Sequence, residues 1–221
     1  AIGDAMGVPI EFVSRDTLLD NPITEMKGFG SHEVQKGTWS DDTSMTLATM
    51  DSIKNTEKID CTDIANNFLK WFKEAEYTAT GDVFDIGRTT LRALAKFEES
   101  NNPYECGESN ELSNGNGSLM RILPIAYYCY YQGGIFNVMA NDEVLEIVKK
   151  VSSITHGHEI SILGCYIYTI YAIRLLCSEG KYEAYEYIRN LDYSMFKEEN
   201  VRKYDRLLKS DISKLKINEM K

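Results

Sequence analysis

Ser40-Asp41-Asp42-Thr43 sets three or four hard oxygen donors side by side, after Gly37-Thr38-Trp39 and at the opening of a helical pattern. Adjacent aspartates at a helix start diverge by roughly 100° around the axis. Each can therefore face a different ion, or one can bind metal while the other holds a water. Oxygen-only ligands favour Mg²⁺, Mn²⁺ or Ca²⁺ over zinc. The same residues also suit helix capping, because Ser and Asp are preferred N-caps and first-turn acids complement the helix dipole. The residue types alone leave both readings open.

Four further segments have chemical content. Gly3-Asp4-Ala5-Met6-Gly7-Val8-Pro9-Ile10-Glu11-Phe12 carries small residues that permit close packing or ligand approach, and Glu11 is a carboxylate just past a proline. The plainer reading of Glu11 is an exposed acid at a helix end. Asn114-Gly115-Asn116-Gly117-Ser118 precedes Leu119-Met120-Arg121, and glycine-rich backbone before a helix start presents free N–H groups suited to phosphate. An ordinary loop with Ser118 as N-cap fits equally. In Thr155-His156-Gly157-His158 the two histidines stand two apart, which excludes an i, i+4 zinc pair; His156 suits ligand contact or a structural role. Phe84-Asp85-Ile86-Gly87 suits a turn into a helix, with Asp82 or Asp85 capping.

The elements that must position these groups are helical. Ile64, Ala65, Phe68, Leu69 and Phe72 mark one helix face, and Leu47, Met50 and Ile53 continue a stripe after Asp42. Ile86, Leu91, Leu94 and Phe97 mark a helix over 84–97. Residues 119–131 are apolar and aromatic, with Pro124 kinking or delimiting them. Val144, Leu145, Val148 and Val151 form another stripe. A buried helix is expected over 158–178, then amphipathic helices over 183–191 and 195–208. Loops fall at 22–38, 77–83 and 101–117. No stretch alternates long enough to demand a sheet. The expectation is one compact all-α domain over residues 1–221.

The chain has 221 residues, 43% of them apolar and 26% charged, enough to bury a real core. Its 24 basic and 34 acidic residues give a net charge of −10, a poor balance for nucleic-acid binding. Residues 195–221 carry eight basic and five acidic residues and read as a solvated helical tail. Cys61, Cys106, Cys129, Cys165 and Cys177 form no CxxC pair, which argues against a disulfide framework and fits a reducing cytoplasm. The apolar run 160–177 reaches the lower limit for a membrane span, but Arg174 and the preceding His158 and Glu159 favour a buried helix. No membrane partner is expected, and a monomer is favoured. The start at Ala1 lacks Met, and the C-terminus stops in a charged pattern without a clear cap. The expectation is either a fragment of a longer protein or a truncated homologue.

Taken together and in order, five segments resemble the ADP-ribosylglycohydrolase family, which includes the dinitrogenase reductase-activating glycohydrolases. GDAMGVPIEF is similar to its opening motif and GTWSDDTSMTLA to its first metal-binding motif. FDIGRTTLRAL, NGNGSLMRILP and SITHGHEISILGC resemble its later blocks, so the likeness is clearest over residues 1–177. The resemblance implies an all-α fold, a binuclear Mg²⁺ or Mn²⁺ centre, and hydrolysis of the glycosidic bond joining ADP-ribose to a protein side chain or related acceptor. It places Ser40, Asp41 and Asp42 among the first metal ligands and Glu11 near the scissile ribose. It places Gly115, Asn116, Gly117 and Ser118 on the loop holding the ADP-ribose phosphates, and His156 on the ligand side. Glu11, Asp41 and Asp42 are the implied catalytic residues.

One departure stands out. The family's second metal motif has the form Gly-Asp-Thr-Asp-Thr, and none of the fourteen aspartates here is followed by another two positions on. Half of the implied ligands are missing, so an inactive ADP-ribose-binding or structural homologue is the alternative. A DDxxD-type prenyl-diphosphate synthase fits poorly, because Met45 stands where that motif needs an acid.

Overall fold

The computed structural model describes residues 1–133 and 139–212. The described residues form eleven α-helices: α1 (Ile2–Gly7), α2 (Arg15–Asp20), α3 (Asp41–Thr56), α4 (Cys61–Glu74), α5 (Arg88–Ser100), α6 (Leu123–Gln132), α7 (Asn141–Ser153), α8 (Glu159–Leu176), α9 (Lys181–Arg189), α10 (Glu198–Arg202) and α11 (Asp205–Lys209). No strand occurs among them, so the all-α expectation holds.

α8 is the central element. Pairs along the chain pack as neighbours: α3 with α4, α4 with α5, and α6, α7 and α9 each with α8. By length and composition α8 could cross a membrane, yet 61% of it is buried inside the fold. Its all-round apolar character follows from contact with helices on several sides. The core is completed by Phe68 and Trp71 of α4, Leu94 and Phe97 of α5, and Val144, Val148 and Val151 of α7. Each large apolar side chain buried this way is worth about 1.5–3 kcal/mol.

Local chemistry sets the helix starts. The Asp60 side chain accepts from Thr62 N and Asp63 N, both at 3.1 Å, and begins α4. The His158 ring accepts from Ile160 N at 3.2 Å and begins α8. Pro124 lies in the first turn of α6, where its missing N–H costs nothing, and so delimits the helix.

Three expectations need correction. The stripe through Met50 faces the core only in part: Ile53 packs against it, and Met50 is exposed. α3 instead turns Met45, Ala48, Thr49 and Ser52 inward, and Thr49 satisfies its own hydroxyl on Met45 O at 2.8 Å. Hydroxyls bonded back to their own helix can be buried, which apolar patterning does not register. Leu91 is likewise exposed, because α5 turns Thr90, Ala93, Leu94 and Phe97 inward; Ile86 lies outside the helix, which begins at Arg88. The helix expected over 195–208 is two short ones, interrupted at Lys203 and Tyr204. There the Tyr204 hydroxyl reaches back to Ile160 O at 2.9 Å on α8. The rest of the basic tail, residues 213–221, lies outside the described residues.

The loop 101–117 is sewn to the end of α7. Gly107 N–H donates to Ser153 O and Gly157 N–H to Glu108 O, both at 3.0 Å, flanking an isolated parallel bridge between Glu108 and His156. This seam carries the glycine-rich segment against the His156 turn.

Candidate active site

Asp4 on α1 organises the start of α3. Its carboxylate accepts from Ser40 N at 3.1 Å, Ser40 Oγ at 2.8 Å, Thr43 N at 3.1 Å and Thr43 Oγ1 at 2.6 Å. An acid at a helix N-terminus satisfies otherwise orphaned N–H groups and complements the dipole. Ser40 is also the N-cap, its oxygen accepting from Asp42 N at 3.3 Å. Capping and clustering of oxygen donors therefore coexist at these residues.

The second wall comes from loops. Glu11 follows a short 3-10 turn at Val8–Ile10, and His32 follows the loop around Gly30. Gly30 has φ +73°, and a Cβ there would overlap Pro9 backbone, so only glycine lets the two turns meet this closely. His32 Nε2 consequently lies 2.7 Å from Glu11 Oε2 and 4.0 Å from Asp85 Oδ2. The ring is held between Phe12 and Phe84, with centroids at 5.9 and 5.3 Å. Asp85 adopts φ +60°, a left-handed conformation that Asp tolerates better than most residues. Trp39 donates its indole N–H to Tyr77 O at 3.1 Å and pins the segment leading to Asp85.

Asp4, Glu11, Ser40, Asp42 and Asp85 line one cleft of about 300 Å³. Asp41 is buried, at 6% exposure. Its carboxyl is pushed up to about 8, first by burial and then by Asp42, Asp85 and Asp4. Burial and Asp4 also raise Asp42, while burial and Glu11 push Asp85 to about 6. Crowded carboxylates of this kind fit a hard divalent cation, which would relieve the repulsion. One candidate donor set is Glu11, His32 and Asp85, whose ligand atoms lie within 4.8 Å of one another. A larger groove of about 670 Å³ between α8 and α9 is mostly apolar and tyrosine-lined, without such a cluster.

The glycine-rich loop borders this region. Thr46 of α3 donates its hydroxyl to Met120 O at 3.3 Å, tying the helix that carries the aspartates to the segment after the loop. Gly115 and Asn116 are exposed, and Gly117 packs against His156 and Thr90. A 3-10 turn at Leu119–Arg121 follows, and α6 begins after it. Ser118 makes no side-chain cap. Its hydroxyl is fully buried, accepting from Ser152 Oγ at 2.9 Å and lying 3.4 Å from Cys165 Sγ. Any contact between Ser118 and a ligand would thus come from its backbone. His156 is also nearly buried, with Nδ1 2.9 Å from Thr155 Oγ1. Burial, then the Arg121 charge, depresses its pKa to about 4, so the ring is neutral near pH 7.

Glu11, Ser40 and Asp42 thus share one cleft with Asp41 buried beside it, while Gly115, Gly117, Ser118 and His156 form a neighbouring cluster. Asp4, His32 and Asp85 are the site residues that residue-type reasoning missed. Asp4 lies within GDAMGVPIEF with no local signal of its role, and Asp85 has the local signature of a helix cap. His32 lies in a loop with no periodicity to flag it.

A family model described as ADP-ribosylglycohydrolase matches residues 1–217. ADP-ribosylarginine hydrolase Tri1 of Pseudomonas putida (strain GB-1) is 34% identical over 128 residues, covering 58% of this chain and 33% of that protein. ADP-ribosyl-[dinitrogen reductase] glycohydrolase of Rhodospirillum rubrum is 28% identical over 171 residues, covering 75% of this chain and 51% of that protein. The matches to these two curated relatives thus span about a third to a half of their length. Among solved structures, an ADP-ribosylglycohydrolase-related protein complex gives a TM-score of 0.74 at 23% identity, covering 94% of this chain and 62% of that one. At that identity the likeness establishes the fold.

Proposed function

The chain belongs to the ADP-ribosylglycohydrolase family, and on that premise we propose that the protein hydrolyses the glycosidic bond between ADP-ribose and a modified protein side chain. The observation that carries this reading is the carboxylate-lined cleft of Asp4, Glu11, Asp42 and Asp85 with Asp41 beside it, next to an exposed glycine-rich loop. The two named relatives act on ADP-ribosylarginine and on ADP-ribosyl-dinitrogen reductase, which supports a protein substrate.

Ser40, Asp41 and Asp42 would hold Mg²⁺ or Mn²⁺, with Asp85 and Glu11 within reach of the same cleft. Such an ion, when bound, orients ribose hydroxyls and lowers the pKa of a coordinated water. The chain's own groups supply the rest. Cleavage at an anomeric carbon develops positive charge on the ribose, and Glu11 is placed to stabilise that charge or move a proton. Asp4 holds Ser40 and Thr43 through four hydrogen bonds, which fixes the helix start that presents Asp41 and Asp42. The backbone of Gly115, Asn116 and Gly117 offers N–H groups to phosphate oxygens. The chain's cysteines, unpaired as thiols, support a reducing, cytoplasmic setting.

The test is release of ADP-ribose from an ADP-ribosylated protein by the natural full-length product, with and without Mg²⁺. Asp41→Ala is expected to abolish release, and retained activity in that variant would count against the metal role. A second reading is an ADP-ribose binder without turnover. ADP-ribose binding with no release by the full-length product would select it.

A further inference from the structure

Arg121 is fully buried and, among the described residues, has no carboxylate partner; its guanidinium lies 4.7 Å from the Phe68 ring centroid. Its Nη2 donates to Val151 O at 3.2 Å and to Thr155 Oγ1 at 2.7 Å, while Nε and Nη1 have no partner among the described residues. Arginine carries donors only. Thr155 Oγ1 must therefore act as acceptor toward Arg121 and has one proton left to give. Its other hydrogen-bond partner among the described residues is His156 Nδ1, at 2.9 Å. If the hydroxyl donates there, Nδ1 is the ring's acceptor and the ring proton resides on Nε2.

The Nε2 edge faces the glycine-rich loop. A Cβ on Gly117 would sit 3.0 Å from Nε2, and one on Gly115 would sit 3.9 Å from it. The residue is 97% buried, and among the described residues Nε2 has no hydrogen-bond partner. Nδ1 is thus taken by Thr155, and the Nε2 edge beside Gly115 and Gly117 is left for water or a ligand oxygen.

We propose that Arg121 and Thr155 are positioning residues that lock His156 in its Nε2–H form, so that it gives a neutral N–H donor to an oxygen of a ligand lying on the Gly115–Gly117 loop. The relay explains why a charged donor is kept in the core without a counter-ion: it fixes the direction of the Thr155 hydroxyl. The identity of the ligand as ADP-ribose rests on the functional reading above; the relay itself does not.

The experiment is long-range proton–nitrogen correlation NMR on the uniformly ¹⁵N-labelled chain at pH 7. Only His32, His156 and His158 contribute ring signals, and loss of one set in His156→Gln assigns it. The expected result is an unprotonated Nδ1 and a protonated Nε2 in the parent and in Thr155→Ser, with that pattern lost in Thr155→Val. A parent ring protonated on Nδ1, or a pattern unchanged in Thr155→Val, overturns the proposal. Titration with ADP-ribose then reads the ligand separately. Thr155→Val is expected to weaken binding about tenfold, the loss typical of one well-made polar contact, and Thr155→Ser to stay within about twofold. If the parent shows the stated tautomer but does not bind ADP-ribose, the functional reading fails while the relay stands.

Discussion

Asp4→Ala sets two opposed effects against each other. The substitution removes four hydrogen bonds to Ser40 and Thr43, both nearly buried at the start of α3. Loss of an N-terminal cap costs about 1 kcal/mol, and stranding further polar groups adds about 1–3 kcal/mol. The cleft is open to water, which can replace part of this, so the loss is about 2–3 kcal/mol. Against it stands relief of repulsion, because Asp4 raises both Asp41 and Asp42. Two carboxylates about 6 Å apart beside water repel by on the order of 1 kcal/mol. Hydrogen bonding wins, and the net cost is about 1–2 kcal/mol. In a chain of this length that lowers Tm by about 2–8 °C. The assay is thermal unfolding in chelator at low salt and again in 0.5 M NaCl. Salt screens the repulsion that the substitution relieves, so the deficit is expected to grow with salt. A variant as stable as the parent at both salt levels would refute the reasoning, since it would mean that water replaces all four bonds.

Three further outcomes are expected. His156 has a folded pKa depressed to about 4 from an ordinary 6.5, so the stability it contributes is present above about 6.5 and is lost as pH falls toward 4. The full loss is on the order of 3 kcal/mol, and His156→Gln should remove that share of the slope in urea unfolding between pH 7 and 4.5; an identical slope would contradict it. Gly117→Ala puts a methyl 2.6 Å from His156 Cε1 and 3.2 Å from Thr90 Oγ1, which should cost about 1–3 kcal/mol in unfolding and weaken ADP-ribose binding at least tenfold; wild-type affinity in calorimetry would show that the ring moves freely. Mg²⁺ added to the chelator-treated chain should raise Tm, and Asp41→Asn should abolish that rise; an equal rise in both would place the cation elsewhere.

The helices that bury an apolar stripe were legible in the sequence, because α4 and α7 follow a 3.6-residue pattern and α8 is apolar throughout. The inward face of α3 was not, since Thr49 and Ser52 are hidden on it and apolar counting passes them over. Ser40, Asp41 and Asp42 could be found because three donors stand together. Asp85 and His32 could not, because their meeting with Glu11 depends on loops folded across more than fifty residues and on Gly30 making room beside Pro9. A lone aspartate near a helix start also has an adequate local explanation as a cap. The interruption at Lys203 and Tyr204 accompanies a tertiary bond to α8, which no local pattern encodes.

The seam between Gly107 and Ser153 also bears on the order of assembly. Most helices here meet partners close by in the chain, whereas this seam closes a long loop, and long loops lose chain entropy before their contacts repay it. The meeting of His32 with Asp85 closes a loop at least as long, so the neighbouring helix pairs can form before both the carboxylate wall and the seam. Fastened among the described residues by two backbone hydrogen bonds, the same seam is a natural place for local opening. A molecule lying on the loop would bind the closed form and slow that opening, so occupancy of the site would be felt first as amide protection at Gly107 and Gly157, well away from the carboxylates.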